Sequence, residues 1–144
     1  KTWAETNTLL MAPNNGTIAV ADVIALERDP QDASVVYAAT RGSGMMISRD
    51  GGTSWQRPTE AIVREGTVLD VEVDPKDICT IYVLKADRVV RSTTCGRTWD
   101  AERYVETQPN VTLTALALDW YTEGTLYVGN SEGAIVQSRD SGAT

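Results

Sequence analysis

The sequence predicts an all-β protein built from repeated four-stranded antiparallel wedges, and three observations predict it. Asp29, Asp74 and Asp119 recur at intervals of 45 and 45, each closing a β-like run. Tyr37, Tyr82 and Tyr127 recur at the same intervals, each inside the run that follows. Ser48, Ser92 and Ser138 recur at intervals of 44 and 46, each opening a polar turn. A period of this length with four short runs per round is the signature of β-propeller blades. A tandem αβ array is the rival, but it needs helical periodicity, and no segment carries that over the length of a helix.

The elements follow in order. Trp3 to Thr17 reads as a short strand and a loop with a turn at Asn14-Asn15-Gly16. Val20–Glu27 is the first run of round one, stopped at Asp29-Pro30 because proline cannot donate to a sheet ladder. Val35–Thr40 is the second, Met45–Ser48 the third, and Trp55 opens the fourth. Round two repeats this with Val68–Val73, Ile81–Lys85, Arg88–Ser92 and a run from Trp99. Round three supplies Leu113–Leu118, Thr125–Gly129 and Ala134–Ser138. The blades thus cover about 18–59, 66–105 and 111–144, with 1–6 as the outer strand of a flanking or closing blade. Three residues before each closing Asp stand Leu26, Val71 and Leu116; four before stand Ala25, Asp70 and Ala115. A bulky face opposite a mostly small one suits innermost strands crowded around an axis.

Composition narrows the function. The 144 residues suffice for one domain, and 42% hydrophobic with 23% charged residues is a globular balance. A net charge of −7 argues against nucleic acid and against an anionic membrane surface. No apolar run reaches membrane-spanning length. The start at Lys1, without a leader, reads as a processed chain or an excised segment. There is no His, which removes Ser-His and Cys-His nucleophile pairs and the commonest metal ligand. Two cysteines without His make no zinc set, and no cofactor is expected.

The polar turns have a repeated chemistry. The first is Ser48-Arg49-Asp50-Gly51-Gly52-Thr53-Ser54-Trp55. The second is Ser92-Thr93-Thr94-Cys95-Gly96-Arg97-Thr98-Trp99, and the third runs from Ser138 through Asp140 and Gly142 to Thr144. The pattern Ser-x-Asp-x-Gly-x-Thr-Trp resembles the Asp-box, or bacterial neuraminidase repeat. The resemblance covers nearly the whole chain. The Asp accepts hydrogen bonds within its own turn, the Gly takes a positive φ, and the Trp packs between blades. The second turn departs, with Thr94 for Asp and Cys95 for Gly or Ser. In the family these turns lie on the outer rim between third and fourth strands, which implies a structural role for Asp50 and Asp140.

Thr2-Trp3 matches the piece the third turn lacks, so the two termini would supply one blade, either within one ring or between copies. Two chains would make six blades and three would make nine. The other reading is a window from a longer propeller. The partners expected are therefore the remaining blades of the same protein or a second copy, and a protein or peptide ligand.

Cys79 precedes the second strand of round two and Cys95 follows the third. A hairpin turning at Ala86-Asp87 puts position 79 opposite 94, so a disulfide and two small buried thiols are both open. A bridge would imply an oxidising, extracytoplasmic or secreted setting. Asn15-Gly16-Thr17 and Asn110-Val111-Thr112 match the glycosylation sequon, a short pattern that also arises by chance.

The resemblance extends to sialidases and xyloglucanases. No arrangement here matches the sialidases' Arg-Ile-Pro type motif. A two-carboxylate glycosidase needs a facing pair, for which Asp22, Glu27, Asp70 and Glu72 on innermost strands are the channel-facing candidates. Such residues are more often solvated channel carboxylates. The non-catalytic resemblances, to a photosystem II assembly factor and to sortilin-type receptors, imply a scaffold that binds proteins or peptides. A purely structural accessory subunit is the third class. The expectation is a non-catalytic binding module, with a glycoside hydrolase fragment as the alternative.

Overall fold

Each sheet begins with a strand stopped by an aspartate that folds its own turn. Asp29 Oδ1 accepts the N–H groups of Gln31 at 2.8 Å and Asp32 at 2.9 Å. Asp74 Oδ1 does the same for Lys76 (2.8 Å) and Asp77 (3.2 Å). Asp119 Oδ1 takes Tyr121 (2.8 Å) and Thr122 (3.1 Å). A carboxylate that satisfies the N–H groups two and three residues ahead gives the backbone a partner outside the ladder, so the strand ends there.

The computed structural model describes Thr2, residues 22–100 and residues 103–144. The strand and loop expected over Trp3–Thr17, the Thr2-Trp3 closure and the sequon at Asn15 lie outside these residues. The first sheet holds β1 (Asp22–Arg28), β2 (Val36–Arg41) and β3 (Gly44–Ser48). A single helical turn, α1 (Ala61–Arg64), follows. The second sheet holds β4 (Asp70–Val73), β5 (Ile81–Leu84), β6 (Arg88–Ser92) and β7 (Tyr104–Val105). The third holds β8 (Leu113–Leu118), β9 (Leu126–Asn130) and β10 (Ile135–Ser138). All pairings are antiparallel between consecutive strands.

The three tyrosines are equivalent. Tyr37 lies between Glu27 and Ile47, Tyr82 between Glu72 and Arg91, and Tyr127 between Ala117 and Gln137. Among the described residues the sheets have three, four and three strands, and the outer strand expected from 1–6 lies outside them. After Trp55 the first sheet gains only one bridge, Gln56 to Ile47, and Pro58, which has no N–H, stands two residues on. A helical turn also exists where none was expected. It is too short to stand alone and is held by the complete burial of Val63 between the first two sheets.

The core lies in two seams. In one, Tyr37, Ala39, Met45 and Ile47 meet Val71, Val73, Ile81 and Val83. In the other, Tyr82, Leu84 and Val89 meet Leu113, Leu116, Leu126 and Val128. Alternation along each strand sends one set of side chains to the preceding sheet and the other to the following one. Val71 and Leu116 are accordingly buried. Leu26, their counterpart, is 64% exposed, because the described residues hold no sheet before the first.

Candidate functional site

The rim turns are built around a serine. Ser48 Oγ donates to Asp50 Oδ1 at 2.8 Å and accepts the Gly52 N–H at 2.8 Å. Asp50 in turn accepts the N–H and the hydroxyl of Ser54, and the Trp55 indole donates to Gly52 O at 3.1 Å. These bonds, led by the Ser54 hydroxyl, hold the Asp50 carboxyl below its usual range. In the second turn Ser92 Oγ accepts the Gly96 N–H at 3.0 Å, and Thr94 Oγ1 takes over the acceptor role toward Thr98 N at 2.9 Å. In the third, Ser138 Oγ donates to Asp140 at 2.7 Å and accepts the Gly142 N–H at 2.9 Å, while Asp140 Oδ1 accepts Thr144 N at 2.9 Å. Hydrogen bonds, first from Thr144, also depress the Asp140 carboxyl. The backbone is left-handed at the same two places each time: Gly51-Gly52, Cys95-Gly96 and Ser141-Gly142. Trp99 packs into the seam between the first two sheets, and Trp55 packs with Ala38 and Met46.

Ser48 is fully buried, so its hydroxyl has no water to fall back on. Ser48→Ala is expected to lower stability by about 2 kcal/mol, because the Gly52 N–H loses its acceptor in a buried place. Urea unfolding would show a lower midpoint at unchanged slope. A change below about 0.5 kcal/mol, the range of an ordinary surface substitution, would refute the hydroxyl as the hub of the turn.

Cys79 and Cys95 are joined in a disulfide. Beside it, the Cys95 N–H donates to Cys79 O at 3.0 Å. The bond ties the turn before β5 to the rim turn after β6.

The inner strands bring three of the four candidate carboxylates together. Asp70 and Glu72 alternate along β4 and share a face, about 7 Å apart along the strand. Glu27 of β1 is close enough to raise the Glu72 pKa, and Asp70 raises that of Glu27. Burial is the leading cause for all three and pushes Glu72 up to about 7, with Glu27 and then Asp70 adding repulsion. Asp22 stands apart, ion-paired at 3.0 Å with Arg41, its cross-strand neighbour. Among the described residues no group of His, Cys, Asp and Glu is arranged to hold a metal ion.

The Glu72 shift sets a pH dependence. Its folded pKa lies above the ordinary 4.5, so the folded state binds the proton more tightly. Its contribution is fully present below about pH 4.5 and is lost as the pH rises through about 7. Glu72→Gln is expected to stabilise the protein at pH 8 by on the order of 1 kcal/mol, since solvent screens a half-buried group. At pH 4.5 the effect should be near zero. Equal midpoint changes at the two pH values would refute the coupling.

A feature that sequence reading missed lies at the blade edge. Among the described residues β10 pairs only with β9, and Ile135 on it is 75% exposed. A groove runs beside it, lined by Val89, Arg103, Tyr104, Leu126, Val128 and Val136. At about 40 Å³ it is far smaller than the several hundred Å³ of a small-molecule pocket. Trp120 and Tyr121 were also missed. Both are exposed; Trp120 stands where the other rounds place Pro30 and Pro75, and Tyr121 O accepts a hydrogen bond from Lys76 Nζ at 3.0 Å.

Neither a protein-family model nor a curated relative matches the chain. Solved structures do. YCF48 bound to D1 peptide matches with a TM-score of 0.68 at 17% identity, over 86% of this chain and 40% of that one. An ancestral GH74 enzyme matches with a TM-score of 0.67 at 16% identity, over 82% of this chain and 17% of that one. The GH74 enzyme of Niastella koreensis matches with a TM-score of 0.65 at 22% identity, over 85% of this chain and 22% of that one. The chain thus spans well under half the length of each. With three stacked antiparallel sheets in consecutive strand order, the chain has the fold of a partial β-propeller.

Proposed function

We propose that the chain is a non-catalytic propeller module that binds a protein or peptide. The observation that carries this reading is the state of its two flanks. Seam-type side chains stand in solvent on both, Leu26 on the first sheet and Ile135 and Val136 on the third. Apolar faces of this kind mark interaction surfaces. A peptide-bound propeller among the structural neighbours supports the same reading. The rim turns, as Asp-box turns, act in it as structural clamps. The disulfide fits an extracytoplasmic or secreted setting.

The test is to pan a library of displayed ten-residue peptides against the immobilised chain and map the winners by hydrogen exchange. Enriched peptides that protect a flank or rim strand support the reading. No enrichment over a bait-free control refutes it. Solution mass separately separates a second copy from a single chain.

One observation favours a second reading, a fragment of a glycoside hydrolase. Glu72 holds its proton to about pH 7 beside other carboxylates, the asymmetry an acid–base pair uses. Xyloglucan cleavage that disappears in Glu72→Gln and Asp70→Asn would establish it over the binding reading.

A further inference from the structure

The second rim turn is the least self-sufficient of the three, and it is the one that a disulfide holds. Asp50 and Asp140 each clamp their turn with a carboxylate, whereas Thr94 offers Thr98 a single hydroxyl, a weaker acceptor. Cys95 holds φ +54° where the first turn has Gly51. The two indoles also differ. Trp55 donates its ring N–H to Gly52 O at 3.1 Å, inside its own turn. The Trp99 ring N–H is buried and finds no acceptor among the described residues, so docking this indole leaves a donor without its water. The turn covers the outer end of the seam between the first two sheets. A Cβ placed on Gly96 would touch Ile47, Ile81 and the Trp99 ring together. Cys79 and Cys95 are both only partly buried, so a small thiolate can reach the bond.

We propose that Cys79–Cys95 is a thiol-exchange site that latches this turn, standing in for the carboxylate the turn lacks. Oxidised, it keeps the Trp99 indole docked. Reduced, it lets residues 93–99 swing away and uncovers the seam at Ile47 and Ile81 while the sheets stay folded. The reactant is a dithiol. One of its thiolates attacks a sulfur of the bond, forms a mixed disulfide and releases the other cysteine; its second thiol then displaces the first. Two electrons and two protons thus pass to Cys79 and Cys95, and the reactant leaves as a disulfide. What holds the turn after reduction is a set of single hydrogen bonds, among them Gly96 N–H to Ser92 Oγ at 3.0 Å and Trp99 N–H to Glu60 Oε1 at 3.3 Å. The second sheet does not depend on them. β5 and β6 pair from Ile81 with Ser92 to Leu84 with Val89, and Val83 and Val90 are fully buried between sheets. The latch goes beyond the binding reading and holds whatever the module binds.

The test treats the folded 144-residue chain with dithiothreitol, without denaturant, then digests it briefly with trypsin and times each cut by mass spectrometry. Reduction is expected to speed cleavage after Arg97, which lies in the turn, at least tenfold. Cleavage after Arg49, in the first rim turn, should stay within twofold. Cleavage after Arg91, inside β6, should remain at least tenfold slower than after Arg97. Thr94→Asp, which restores the carboxylate of the other two turns, should bring the reduced chain most of the way back to the oxidised rate. Unchanged cleavage after Arg97 on reduction overturns the proposal, as does a bond that millimolar dithiothreitol cannot open in the folded chain. Equal gains at Arg97, Arg49 and Arg91 would mean unfolding of the whole chain and overturn it too. No protection by Thr94→Asp overturns it as well, because the bond would then not stand in for the carboxylate.

Discussion

Gly44→Ala is expected to destabilise the chain by about 3 kcal/mol and to lower its Tm by about 6–12 °C. Two terms combine. Gly44 has φ +74°, where an L side chain costs about 1–2 kcal/mol. A Cβ there would also collide with the backbone carbonyl of Arg64 and lie 2.6 Å from Val63 O. Backbone cannot step aside as a side-chain tip does, and overpacking of this kind costs about 1–3 kcal/mol. The contact matters because Gly44 N donates to Gly66 O at 2.8 Å, which seats α1 and its buried Val63 against the first sheet. Gly42 is the internal control. It has φ +83° in the same hairpin, but nothing lies within 4 Å of its notional Cβ. Gly42→Ala should therefore cost only the backbone term, about 1–2 kcal/mol. Thermal melts of the two variants decide the matter, and equal losses would refute the packing argument.

Replacing both cysteines, Cys79→Ser with Cys95→Ser, is expected to cost about 3 kcal/mol. The bond closes a loop of sequence separation 16, and confining a loop of that length in the unfolded chain is worth about 3 kcal/mol. The second rim turn has more reason to need it than its counterparts. Thr94 supplies one hydroxyl where Asp50 and Asp140 supply a carboxylate, so it offers a weaker acceptor. Cys95 also sits at φ +54°, a conformation that Gly51 adopts more freely. Urea unfolding of the double variant, beside the oxidised and reduced parent, measures the term. The reduced parent should fall to within about 0.5 kcal/mol of the double variant, the size of an ordinary surface effect. A parent indifferent to reduction would show that the turn holds without the bond.

Much of the fold was legible because its devices are local. The closing aspartates bond N–H groups two and three residues ahead, and the rim serines bond N–H groups four ahead. Each device therefore leaves its signature within one short window of sequence. Their spacing then repeats because each sheet repeats the same order of strands and turns. The fourth strands were the poorly legible part. They are held by edge pairing and seam packing, so Gln56 yields one bridge and Tyr104-Val105 yields two residues from similar openings.

The order of strands, the repeat and the chemistry of the rim turns were thus set by the sequence alone, since backbone conformation and short-range hydrogen bonds decide them. Which residues face a neighbour was decided only by tertiary structure. Leu26 and Leu116 occupy the same repeat position, yet one stands in solvent and the other is buried. Glu72 is an ordinary strand residue until Glu27, 45 positions earlier, is brought beside it in a half-buried place. Burial and charge coupling depend on what other sheets bring to the seam, and no window of sequence contains that.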